Sequence, residues 1–235
     1  MNDAVLATQE QQVLYDRKWI IFLRRTGMFR HIPFVEFALA AGSMALGNVH
    51  KDSDFDVIVG VRAGRIFTAR FFSVLFFGAL GWRRKKLTHH EAASNKVCLN
   101  HFVTAASYAL SPPHSPYWKA LYQSLVPVYG ADQPIQKFFA ANADWAGARA
   151  YQDDLRHRYQ RGSHLKRILE TIFSGFPGRL FEALFRRVQV RRIERGLQAE
   201  AGYKPRIVYG DTELEFHPDT SRVAALDRVW YNPRR

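Results

Sequence analysis

Cysteine occurs once in 235 residues, at Cys98, so the chain carries no internal disulfide framework and suits a reducing compartment. Its place in an apolar stretch reads as a small core residue rather than a nucleophile. Long apolar runs are missing too. The most apolar stretch, residues 71–81 (FFSVLFFGALG), is eleven residues long and falls short of the roughly 20 needed to span a bilayer. Acids are scarce: 21 Asp and Glu stand against 34 Lys and Arg. The resulting net charge of +13 favours polyanionic partners, nucleic acid first and an anionic membrane surface second. There is no repeat, no low-complexity tract and no zinc-type ligand spacing around His157 and His164. The opening residues MNDAVLATQEQQ are polar and acidic where a secretory signal would be basic and then apolar, which gives the expectation of a cytoplasmic protein. What remains is an ordinary globular composition, 47% apolar and 23% charged.

The informative segment is residues 41–61, AGSMALGNVHKDSDFDVIVGV. The apolar stretch 34–40 before it predicts a buried strand, and Gly42 supplies the backbone freedom for a sharp exit. Ser43 to Leu46 predict a short helix that Gly47 and Asn48 stop. Unpaired amides and the positive dipole end at such a start suit a phosphate held by Gly42 and Ser43. From Asp54 the composition is that of a strand, so Asp54 and Asp56 share one face while Phe55 and Val57 point the other way. At a rise of about 3.3 Å per residue their Cβ atoms lie roughly 6–7 Å apart, close enough to reach one Mg²⁺ or straddle two ions. Lys51 and His50, just before the strand, are either phosphate contacts or plain loop residues.

At these residues the chain resembles the DNA polymerase β-like nucleotidyltransferase superfamily, whose signature is an apolar strand, Gly-Ser, a spacer of this length, and Asp-x-Asp followed by apolar residues. Gly42, Ser43, Asp54 and Asp56 match it position by position. The clear match covers residues 36–61, with a weaker extension to about residue 104. The resemblance implies a small mixed sheet flanked by helices and Mg²⁺- or Mn²⁺-dependent attack on the α-phosphate of a nucleoside triphosphate such as ATP, with release of pyrophosphate. It also implies a third carboxylate on a later strand. The next strand pattern, residues 96–104 (KVCLNHFVT), has none, and Asn100 stands where the acid is sought. An amide oxygen can ligate a metal but accepts no proton at neutral pH. On a regular strand His101 faces the opposite side from Asn100. Glu91, Glu213 and Glu215 are the other acids that folding could bring in.

Along the chain the pattern predicts a helix over 5–27, the strand, turn, helix and strand of the motif, a helix over 63–81, and the strand over 96–104. That order is α/β. The cluster Trp82 to Lys86 suits a helix C-terminus by dipole, or the rim of a helix end lying on anionic membrane or nucleic acid. Three prolines within residues 111–116 predict a domain boundary, giving a nucleotidyltransferase domain over 1–110 and a basic, mostly helical domain over 111–235. Helices are predicted at 117–125, 135–145, 149–174 and 180–200, with residues 175–178 separating the last two. A hairpin over 206–209 and 213–216 and a last helix from Thr220 or Ser221 through Trp230 complete the reading. Arginines and aromatics interleave in this second half, which suits RNA phosphates or a protein partner. Two functions fit: an enzyme that transfers a nucleoside monophosphate to RNA, protein or a small molecule, and a nucleotidyltransferase-like module that has lost turnover and binds RNA or a partner.

Overall fold

A computed structural model describes residues 2–84, 93–111, 114–158, 160–199 and 206–217; Glu91, the Lys85–Lys86 end of the basic cluster and the expected helix after residue 218 lie outside them. Helix α1 (Asn2–Thr26) and a 3₁₀ turn (Gly27–His31) lead to strand β1 (Val35–Ala40), the short helix α2 (Gly42–Leu46) and strand β2 (Phe55–Val61). Helix α3 (Ile66–Ala79) and strand β3 (Val97–Val103) follow. Beyond them come α4 (Pro116–Ser124), β4 (Val126–Gly130), α5 (Asp132–Ala140), the single turn α6 (Ala143–Ala146), α7 (His164–Ile172) and α8 (Gly175–Ala199). A hairpin of β5 (Arg206–Tyr209) and β6 (Glu213–His217) comes last.

The six strands form one mixed sheet in the order β4-β1-β2-β3-β6-β5. Among these strands only β2 and β3 pair in parallel, and α3 makes the crossover that a parallel pair requires. The apolar run at 71–81 is therefore core helix, with Phe72 and Phe77 buried. Two cores result. Phe22, Phe29, Phe55, Val57, Phe102 and Leu214 belong to the one that α1, α3 and α8 cover, and Phe37, Leu39, Ile58, Val103 and Phe138 belong to the one under α4 and α5. No helix among the described residues is long and apolar enough to cross a membrane.

Three expectations change. The break at residue 111 divides neither the sheet nor the second core, because β4, β5 and β6 all come from beyond it and join β1–β3. Of its prolines, Pro116 opens α4, which Ser115 caps as its hydroxyl accepts from the Trp118 amide. Strand β4 was not legible because Pro127 interrupts its apolar run; at the sheet edge the missing N–H is harmless. The long helix over 149–174 is instead an irregular stretch held by Arg156, which bonds Asp154 through its backbone, Nε and Nη2, and only α7 forms, starting where Ser163 caps it. Residues 175–178, expected as a separator, are the first turn of α8, a position where Pro177 is tolerated.

The pairing of β2 with β3 slips by one residue. Asp56 faces Cys98, but Ile58 faces His101. Leu99 and Phe102 both enter the first core, so the two residues between them, Asn100 and His101, are turned toward the second. A β-bulge has placed on one face what a regular strand would separate.

Candidate functional site

Strand β1 ends at the Ala41 amide, which donates to the Asp56 carbonyl at 3.0 Å. The chain then turns at Gly42 with φ of 58°, and α2 closes at Gly47, whose amide donates to the Ser43 carbonyl. A Cβ on Gly42 would lie 2.2 Å from Asp56 Oδ2, so only glycine allows this turn to sit against the carboxylate. Gly42 and Ser43 are half-buried. Gly42 and Asp56 come together across the one short loop that links them.

Asp54 lies just ahead of β2 rather than within it. Phe55 between the two acids is buried in the first core, and Asp54 and Asp56 emerge half-buried on the other side. One ligand atom each from Asp54, Asp56 and Cys98 lie within 4.8 Å of one another. The approach to Asp54 is braced from α1: the Lys18 ammonium donates to the Ser53 carbonyl at 2.9 Å and to Asn95 Oδ1 at 3.1 Å. Burial lowers the Lys18 pKa, and Asp52 and Asp54 oppose that shift.

Arg84 is a site residue that sequence reasoning missed. Its Nη1 donates to Asp54 Oδ2 at 2.5 Å, with both side chains largely shielded from solvent. The segment after α3 runs along the start of β3, with the Arg84 amide donating to the Val97 carbonyl at 3.0 Å, and this delivers the guanidinium. Burial is the largest single effect and disfavours its charge, but Asp54, Cys98 and Asp56 together outweigh it and the net shift is upward. Cys98 was also missed as a neighbour of the acids. Burial first, and then Asp56 and Asp54, push its thiol well above the usual range, so it stands as a neutral S–H and not a thiolate. Asn100 is buried, and its Nδ2 lies 3.5 Å from Asp56 Oδ1, at the long limit of a hydrogen bond. Lys51 is exposed at the loop tip, where its carbonyl accepts from the Ser94 hydroxyl, and His50 is exposed beside it.

A second cluster lies along the same sheet face. His101 Nε2 is 3.1 Å from Glu213 Oε1, Glu215 pairs opposite His101 in the β3–β6 ladder, and the three ligand atoms lie within 4.8 Å of one another. His101 and Glu215 are buried. These three residues line a pocket with Leu110, His114 and Trp118. The expectation that His101 points away from Asn100 fails because the bulge turns both to one side. Acids that β3 itself lacks are thus supplied by β6, the strand beside it. Comparison of the chain with protein-family models, curated proteins and solved structures returned no match.

Proposed function

We propose that the chain is a metal-dependent nucleotidyltransferase acting on a nucleoside triphosphate. The observation that carries this is the convergence of Asp54 and Asp56 across from a glycine turn that leaves no space for any side chain. The donor set fits Mg²⁺ or Mn²⁺: two carboxylates offer hard oxygen ligands, and the thiol beside them is neutral. Asp54 and Asp56 would hold the ion, which when bound neutralises phosphate charge and aligns the α-phosphate.

The chain's own residues divide the remaining work. Gly42 and Ser43 present backbone amides to the triphosphate, and Arg84, already at Asp54, offers a second positive group to its oxygens. Asn100 steadies Asp56 and takes no proton. An acceptor hydroxyl forms its bond to the α-phosphorus as the bond to pyrophosphate breaks, and its proton passes to the carboxylates of the His101–Glu213–Glu215 cluster. Asn100 also favours a second reading, a module that binds nucleotide without turnover.

The test is incubation with Mg²⁺, α-labelled triphosphates and an extract of RNA and protein. Wild type is expected to transfer label, and Asp54→Asn with Asp56→Asn to lose about a hundredfold or more, the scale of removing transition-state charge stabilisation. Equal labelling by the variant overturns the enzyme reading. Nucleotide binding with no labelling by wild type selects the binding module.

A further inference from the structure

Helices α7 and α8 pack Leu169, Phe185, Val190 and Ile193 against the first core, yet they carry a second set of apolar residues outward. Leu165, Ile168 and Ile172 on α7 and Phe176, Leu180, Leu184 and Val188 on α8 recur every three or four residues, and each is between 44% and 63% exposed. On each helix this spacing is one face, and exposed apolar residues lined up in this way mark an interaction surface.

The face cannot roll inward, because polar anchors pin both helices from the other side. On α7, Lys166 donates to the Val35 carbonyl at 2.7 Å, and Glu170 accepts from the Phe34 amide at 2.8 Å. On α8, Glu182 accepts from the amides of Phe67 and Thr68, and Gln189 donates to the Phe67 carbonyl at 2.8 Å. Phe185 stacks on Phe71 at 4.1 Å. Each anchor is specific, so rotation would break several at once.

We infer that this face docks on an anionic membrane surface. Toward the C-terminal half of α8 the same face continues as Arg187, Arg191 and Arg195, all exposed, at a spacing of four. An apolar stripe that ends in a row of arginines suits a helix lying in the interface, with leucine and phenylalanine among the acyl chains and guanidinium groups on lipid phosphates. The net charge of +13 adds long-range attraction to the same surface. RNA would satisfy the arginines but leave the leucines in water. A second copy aligned side by side would bring arginine rows together. The inference is independent of the proposed enzymatic reaction.

The test uses the full chain, flotation with phosphatidylcholine vesicles with or without phosphatidylglycerol, and thiol labelling of Leu184→Cys, for which the buried Cys98 gives a low background. Wild type is expected to float with the anionic vesicles only. Arg187→Glu with Arg191→Glu and Arg195→Glu should weaken partitioning about a hundredfold, roughly fivefold per arginine removed from the surface. Leu180→Asn with Leu184→Asn should abolish flotation at raised salt. Leu184→Cys should react rapidly with a soluble maleimide in buffer and be protected by anionic vesicles. Slow labelling in buffer, from cover by residues 218–235 or by a second copy, overturns the inference. So does protection by RNA with vesicles inert, or failure of wild type to float.

Discussion

Helix α5 and the pair α7–α8 both pack apolar residues inward, but α7–α8 also carry a second apolar face outward. In α5, Ile135, Phe138 and Phe139 are buried while Asp132, Gln136 and Lys137 are exposed, as the hydrophobic effect alone dictates. In α7 and α8 the inward side combines Leu169, Phe185, Val190 and Ile193 with Lys166, Glu170, Glu182 and Gln189, and much of the outward side is leucine, isoleucine and phenylalanine. Periodicity identifies an amphipathic helix, but it does not say which face meets the core. In α7–α8, where both faces hold apolar residues, polar groups of the first core's edge add to the choice: the Phe34, Phe67 and Thr68 amides need acceptors, and Glu170 and Glu182 supply them.

The sharpest way to test the contrast is to remove one large residue from the inward face of α5. Phe138→Ala should cost about 3–5 kcal/mol by chemical denaturation, the usual range for a fully buried phenylalanine. A loss under about 1 kcal/mol would mean that the second core is not close-packed around it. On α8 the corresponding inward residue is polar. Glu182→Ala removes the acceptor for the Phe67 and Thr68 amides and the Thr68 hydroxyl, and should cost about 1.5–3 kcal/mol, with Glu182→Gln costing less. If Glu182→Ala were silent in the same denaturation series, α8 would not be anchored there and its outward face would be free to turn.

What could be read from the sequence and what could not separates along the same line. Gly42, Ser43, Asp54 and Asp56 lie within one short loop and its flanking strands, so local turn and strand rules suffice to bring them together. The α/β order followed from the alternation of helix and strand patterns, and the mixed sheet was what the resemblance implied. Arg84 reached Asp54 through pairing of the 82–84 segment with β3, and a cluster of basic residues after a helix carries no sign of that partner. His101 joined Glu213 and Glu215 through a bulge and a strand from more than a hundred residues away. Register slips and long-range pairing depend on tertiary packing, which periodicity does not report. The apolar residues of α7 and α8 were visible at helical spacing, but the anchors that turn them outward became visible only with Phe34 and Phe67 beside them.

The smallest effect is the most discriminating. Leu184→Ser replaces a leucine that is 52% exposed, and a side chain already in water loses little burial when shortened. Its stability in buffer should stay within about 0.5 kcal/mol of wild type, the range for surface sites away from special features. The same substitution at a covered position would cost several times more, because it would leave both a cavity and an unpaired hydroxyl. A loss above about 2 kcal/mol in dilute buffer would therefore show that something in the chain already covers this face, and the contrast with α5 would vanish. A silent substitution that nonetheless weakens vesicle flotation would place the missing contact outside the chain, where the arginine row of α8 points to an anionic surface.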